Sequence, residues 1–158
     1  MAATHEFSES NLVGEVVQDS ITNLNFGSVD DHELNTITYP ITRGDASFEK
    51  YIRSKFSGGF TEISNMKFWR SDILGYKTDE TLKAAANVAF ATPSATPNAD
   101  SDIPLVVGSA LAIQSAAGTT TITAPGYTKY IRLQIHTTSS TPSGAVFQKT
   151  LCFQYNET

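Results

Sequence analysis

Residues 130–138 (YIRLQIHTT) alternate without interruption, with Ile131, Leu133, Ile135 and Thr137 on one side and Tyr130, Arg132, Gln134 and His136 on the other. A period of two is the signature of a strand with one face in a core, and it is incompatible with an amphipathic helix over the same residues. The C-terminal run 146–155 repeats the pattern, setting Phe147, Lys149, Leu151, Phe153 and Tyr155 against Gln148, Thr150, Cys152 and Gln154. The intervening SSTPSG is turn chemistry, so the two runs are expected to pair as an antiparallel hairpin. Segments 13–18, 21–26, 119–123 and the stretch ending in Lys67, Phe68 and Trp69 also read as extended, and Thr is abundant, as strands favour.

Two segments carry mixed signals. In 47–56 the apolar Phe48, Ile52 and Phe56 are four apart, which suits one face of a helix or of a strand. Ser57, Gly58 and Gly59 follow and another β-like segment comes next, favouring a strand with Glu49, Tyr51, Arg53 and Lys55 on its opposite face. Residues 81–91 are rich in alanine, and Thr78, Asp79 and Glu80 before them could cap a helix start, so a short helix is expected there. Residues 27–46 and 92–104 lack apolar rhythm and read as long loops.

At 158 residues the chain fits one domain, and the roughly 50 residues after the second loop are too few for a second core. The expectation is an all-β fold, a single antiparallel β-sandwich over residues 1–158. Jelly-roll is the preferred topology over immunoglobulin-like, with long loops, one short helix and residues 1–10 as a polar, flexible N-terminal arm. A net charge of -5 and a pI near 5.1 argue against nucleic acid and anionic membrane as partners. No apolar run reaches the ~20 residues of a membrane helix, and the first ten residues lack the basic start and apolar stretch of a secretion signal.

Catalytic and ligand motifs are sparse. His5, His32 and His136 are widely separated and lack zinc-ligand spacing; Cys152 lies mid-strand between Leu151 and Phe153, as a structural thiol does. Asp30, Asp31 and Glu33 cluster in one loop and Asp100 and Asp102 in another, where calcium ligation is possible in principle but solvation and turn capping are the ordinary roles. Glycine-cradled phosphate motifs and a GxSxG serine are absent. Arg43-Gly44-Asp45 reads as a turn, because Gly and Asp favour that geometry. No catalytic, cofactor-binding or metal-binding residue is therefore assigned. The aromatics Tyr39, Phe60, Trp69 and Tyr76 are the candidates for an interface, should they face outward instead of filling the core.

A resemblance adds to this reading. Asn25-Phe26-Gly27, Tyr39-Pro40-Ile41 with Gly44, Ser47-Phe48-Glu49-Lys50-Tyr51 and Ile63-Ser64-Asn65-Met66-Lys67-Phe68-Trp69 resemble virion structural proteins of tailed bacteriophages. Ala91-Thr92-Pro93, Asp102-Ile103-Pro104 and Tyr130-Ile131-Arg132-Leu133-Gln134 are similar to the same group, so that the resemblance spans roughly residues 21–155. It implies a noncatalytic capsid decoration (cement) protein, made in the host cytoplasm and resident on the virion surface. Its expected partners are the major capsid protein and itself, as a homotrimer, with no cofactor. The alternatives are a tail, neck or baseplate component and a carbohydrate-binding β-sandwich in which Trp69 and Tyr76 stack on sugars.

Overall fold

A computed structural model describes residues 2–71, 79–144 and 149–158. Ten strands account for the regular structure: β1 (Ala3–Asn11), β2 (Val16–Gln18), β3 (Lys50–Gly58), β4 (Ile63–Arg70), β5 (Thr81–Val88), β6 (Ser101–Asp102), β7 (Leu111–Ala112), β8 (Gly126–Tyr127), β9 (Tyr130–His136) and β10 (Leu151–Glu157). The one helical element among the described residues is a short 3-10 turn, Val107–Ser109. All strand pairings are antiparallel. Seven strands form one sheet in the order β2-β1-β3-β9-β5-β6, with β8 paired to the far end of β3, and β10-β4-β7 form a second sheet. The two sheets make the expected all-β sandwich.

Alternation fixes which side chains meet between the sheets. In β3, Ile52 and Phe56 point into the core while Tyr51, Arg53 and Lys55 lie on the outer face; in β9, Ile131, Leu133 and Ile135 point inward. The second sheet contributes Ile63, Met66 and Phe68 from β4, against which Leu151, Phe153 and Tyr155 of β10 pack. Ile63 and Met66 are three residues apart yet both buried, because Asn65 takes a left-handed conformation (φ 51°) and the β4–β10 register shifts there. One extra residue at a bulge restores the inward phase of the strand. A second bulge sits at Asn87 (φ 61°), where β5 shifts against β9. The Asn87 carboxamide accepts from Gln114 N–H (2.7 Å) and donates to the Ala112 carbonyl (2.8 Å), tying β5 to the end of β7.

Four expectations are corrected. The helix over 81–91 does not form: Thr81–Val88 is β5, hydrogen-bonded to β9 on one edge and to β6 on the other. Asp79 is left-handed (φ 60°), and the Glu80 carboxylate accepts from Lys149 Nζ (3.0 Å) instead of charging a helix start; Thr78 lies outside the described residues. Alanine favours a helix by less than about 1 kcal/mol per residue, and two ladders together with the burial of Leu82 and Ala84 outweigh that preference. The β9–β10 hairpin is also absent, since β10 pairs β4 in the opposite sheet; residues 146–148 of the expected strand lie outside the described residues. Thirdly, residues 3–10 of the expected arm are strand: Ala3–Asn11 is β1, paired with β3 from Ala3↔Gly58 to Ser10↔Tyr51. Its polar residues concealed the strand because Glu9, Ser10 and Asn11 are themselves buried and satisfy other polar groups. Finally, 21–26 and 119–123, expected to be extended, form none of the strands, although Ile122 makes an isolated bridge with Ile63 (2.8 and 2.9 Å).

Candidate functional site

The β1–β2 hairpin forms one edge of the larger sheet, and its tip exposes a cluster of apolar side chains. Leu12, Val13, Val16 and Val17 are 46%, 82%, 50% and 39% exposed. Leu12 (φ 62°), Gly14 (φ 89°) and Glu15 (φ 58°) are all left-handed, and Glu15 N–H closes the turn on the Leu12 carbonyl (3.3 Å). Gly14 takes that conformation without strain, whereas the side chains of Leu12 and Glu15 oppose it, so surrounding contacts must hold the turn in place.

Those contacts come from two sides. Beneath the tip, Asp30 accepts from Leu12 N–H (2.6 Å) and from Asn11 Nδ2 (2.9 Å), and Asn11 also donates to Glu9 (2.9 Å). Glu9 in turn pairs with Lys50 Nζ at 2.7 Å, with both side chains fully buried, and Lys50 donates a further bond to the Asp31 carbonyl (2.7 Å). On the outer face, the Glu15 carboxylate accepts from Tyr130 OH and lies 3.7 Å from Arg53. The Arg53 guanidinium lies over two rings, 4.0 Å from the centroid of Tyr127 and 4.7 Å from that of Tyr130, a cation–π arrangement that orients the side chain. Burial, and then the hydrogen bond to Glu15, push the Tyr130 phenol up to about 12, so it remains a donor at any ordinary pH.

The rest of that face is an interlocked charge lattice. Lys55 reaches Asp19 (2.6 Å) and Glu6 (2.9 Å); its bonds to these carboxylates raise its own pKa and depress that of Asp19, while Glu6 is lowered first by Ser20 and then by Lys55. Arg132 grips Asp100 through two bonds (2.9 and 2.6 Å) and is held further toward its charged form by them. Asp102 pairs with Lys83 (2.6 Å). Thus the acidic loop residues considered as ligands are engaged by cations or backbone: Asp100 and Asp102 as above, Asp30 beneath the hairpin, and Asp31 through the N–H of Glu33 (3.0 Å). No group of three His, Cys, Asp or Glu side chains converges among the described residues.

The aromatic candidates do not gather into one site. Tyr39 is 44% exposed in the 27–46 connection, where its backbone carbonyl accepts from Ser28 N–H (3.1 Å). Phe60 is half-buried and meets Phe56 edge-on (6.5 Å), and Trp69 is half-buried opposite Cys152 on the outward side of the smaller sheet. Tyr76 lies outside the described residues. Arg43-Gly44-Asp45 forms the expected turn, with Gly44 left-handed (φ 87°) and Asp45 N–H on the Thr42 carbonyl (3.0 Å). A cavity of about 980 Å³ opens beside the irregular 21–41 connection, with Ile52, Leu82 and Ile135 of the larger sheet and Phe68 and Leu151 of the smaller one in its wall. The hairpin tip is the feature that sequence reasoning missed. Its available signal was the run Leu12-Val13-Gly14-Glu15-Val16-Val17, in which glycine breaks an apolar strand too short to reach a core. No protein-family model, curated protein or solved structure matches this chain.

Proposed function

We propose that the chain is a noncatalytic assembly protein that docks through its β1–β2 hairpin, and that the surface it docks on is a bacteriophage head shell at junctions between major capsid protein subunits. The observation that carries docking is the tip itself: four apolar side chains within six residues are exposed on a turn whose base is tied down by a buried ion pair and by cation–π contacts of Arg53. Apolar side chains exposed on a pre-organised support are the usual character of a protein-binding surface, because little conformational entropy remains to be lost on association. The choice of a phage shell rests on the sequence motifs that resemble virion proteins. A homotrimer would place three tips on one shell position, where individually weak contacts add through avidity. Binding to the assembled shell and not to free subunits would then stabilise the particle by mass action.

The test is cosedimentation of the purified protein with phage heads lacking their decoration layer, using wild type and Val13→Asp. Wild type is expected to bind and to raise the temperature of head disruption, and the variant to lose at least tenfold in affinity at unchanged melting temperature. Failure of wild type to bind heads would end the capsid reading, and full binding by the variant would end the role of the hairpin. Copy number per virion separates a shell location from the tail or neck.

A further inference from the structure

The one histidine built into the seam between the sheets is His5 of β1. Four rings surround its imidazole: Phe153 lies parallel at 5.0 Å (4° between planes), Phe7 edge-on at 4.9 Å, Phe56 at 5.2 Å and Tyr155 at 5.6 Å. Phe153 and Tyr155 belong to β10, so the cluster joins the outer strand of the smaller sheet to β1 of the larger one. The Nε2 atom is buried without a hydrogen-bond partner among the described residues. A neutral imidazole tolerates this, since it can carry its proton on Nδ1 and leave Nε2 as a bare lone pair against the rings. The imidazolium cannot, because it places a second N–H and a full charge where no acceptor waits.

The charged neighbours do not remedy this. On β1, Glu6 favours the cation electrostatically, but its side chain lies on the opposite face with Lys55 of β3 and Asp19, and its effect is outweighed by burial, which lowers the His5 pKa. From β10, Tyr155 contributes its ring, and the Glu157 carboxylate is taken by the backbone N–H of Ala3 (2.7 Å). From β3, the residue directly opposite His5 is Phe56.

We propose that His5 is an acid-operated latch: protonation drives its ring out of the aromatic box and releases the N-terminal strand β1 from the C-terminal strand β10. The folded protein holds the neutral form and the unfolded or opened chain takes up the proton more readily. The latch is therefore closed above the ordinary histidine value of about 6.5 and weakens as pH falls below it. The consequence is a sandwich that opens along one seam under mild acid while its central β3–β9–β5 ladder persists. The device is independent of what the hairpin tip binds.

Hydrogen exchange of the full chain at pH 7.5 and pH 5.5, corrected for intrinsic rates, reads the opening locally. Amides of β1 and β10 are expected to lose several-fold, up to about tenfold, in protection at pH 5.5 relative to those of β9, and His5→Phe, which keeps a ring in the box, is expected to abolish that difference. Equal protection at both pH values, or a difference that persists in His5→Phe, overturns the latch. A proton titration of the wild-type His5 ring by NMR checks it without a variant. Titration below free histidine, accompanied by shifts of the Phe153 and Tyr155 rings, agrees; titration at or above free histidine means that the rings stabilise the cation and overturns it.

Discussion

Replacing Lys50 with Met tests whether the buried base of the hairpin is a structural necessity. The substitution keeps an apolar stem of nearly the same length, with sulfur in place of the δ-methylene, and removes the ammonium, which is bonded to Glu9 Oε1 and to the Asp31 carbonyl at 2.7 Å each. Both side chains of the pair are 0% exposed. After the change, Glu9 would retain a single donor, Asn11 Nδ2, with its other oxygen already unpartnered among the described residues. Removing one member of a buried pair strands the other charge, at a cost of about 3–5 kcal/mol, a large part of the ~5–15 kcal/mol total of an ordinary domain. For a chain of 158 residues this corresponds to a melting temperature lower by about 6–20 °C. The internal control is Lys83→Met: its partner Asp102 lies at a similar 2.6 Å but is 67% exposed, and such a pair contributes about 0–1 kcal/mol. The double variant Glu9→Met with Lys50→Met is expected to recover most of the loss, since it leaves no buried charge unpaired. Urea unfolding of wild type and the three variants supplies the numbers. Costs for Lys50→Met and Lys83→Met that agree within 0.5 kcal/mol, a margin of about the size at which surface substitutions scatter, would refute the reasoning.

Other perturbations probe separate parts of the molecule. Gly27→Ala is expected to destabilise by about 1–3 kcal/mol in urea unfolding, because the new methyl would collide with both Leu34 Cδ2 and the Tyr39 carbonyl, and a backbone atom cannot swing aside. Leu133→Ala, at a fully buried position in β9, is expected to cost about 2–5 kcal/mol through the cavity it leaves. On the alkaline side, Tyr130 ionises near 10 when unfolded and only at about 12 when folded, so the unfolded chain loses its proton first. Stability should therefore fall as pH rises through 10 to 12, and Tyr130→Phe should flatten that limb of a chemical-denaturation pH series.

The strands that were legible in the sequence are those whose phase is set by burial on one face. The alternation in 130–138 maps onto β9, and the assignment of Tyr51, Arg53 and Lys55 to the face opposite Ile52 and Phe56 matches β3. What failed was partner choice and context. Two alternating runs joined by a turn satisfy the local rule for a hairpin, yet β10 finds its ladder on β4, where Phe153 sits opposite Phe68 and completes the second sheet. A local rule has no access to that competing partner. The alanines of β5 mislead in the reverse way: small side chains that favour an isolated helix also suit a strand paired on both edges, and only the tertiary structure decides between the two.

The hairpin and its base were illegible for a further reason, which concerns polar residues and not apolar ones. Glu9 and Lys50 are separated by 41 positions, and a chain read from its hydrophobic rhythm assigns both to water. Their burial depends on each other, for neither charge could be buried without its partner, so no property of either residue alone announces it. The same mutual dependence gives the tip its form. Asp30 must come back from the 27–46 connection to hold Asn11 and Leu12 before the left-handed turn is stable, and that turn is what turns Leu12 and Val13 outward. A tip without this base would have been free to fold its four apolar side chains back onto the sheet. That they stay exposed on a held backbone is the physical reason to read them as a surface kept for a partner.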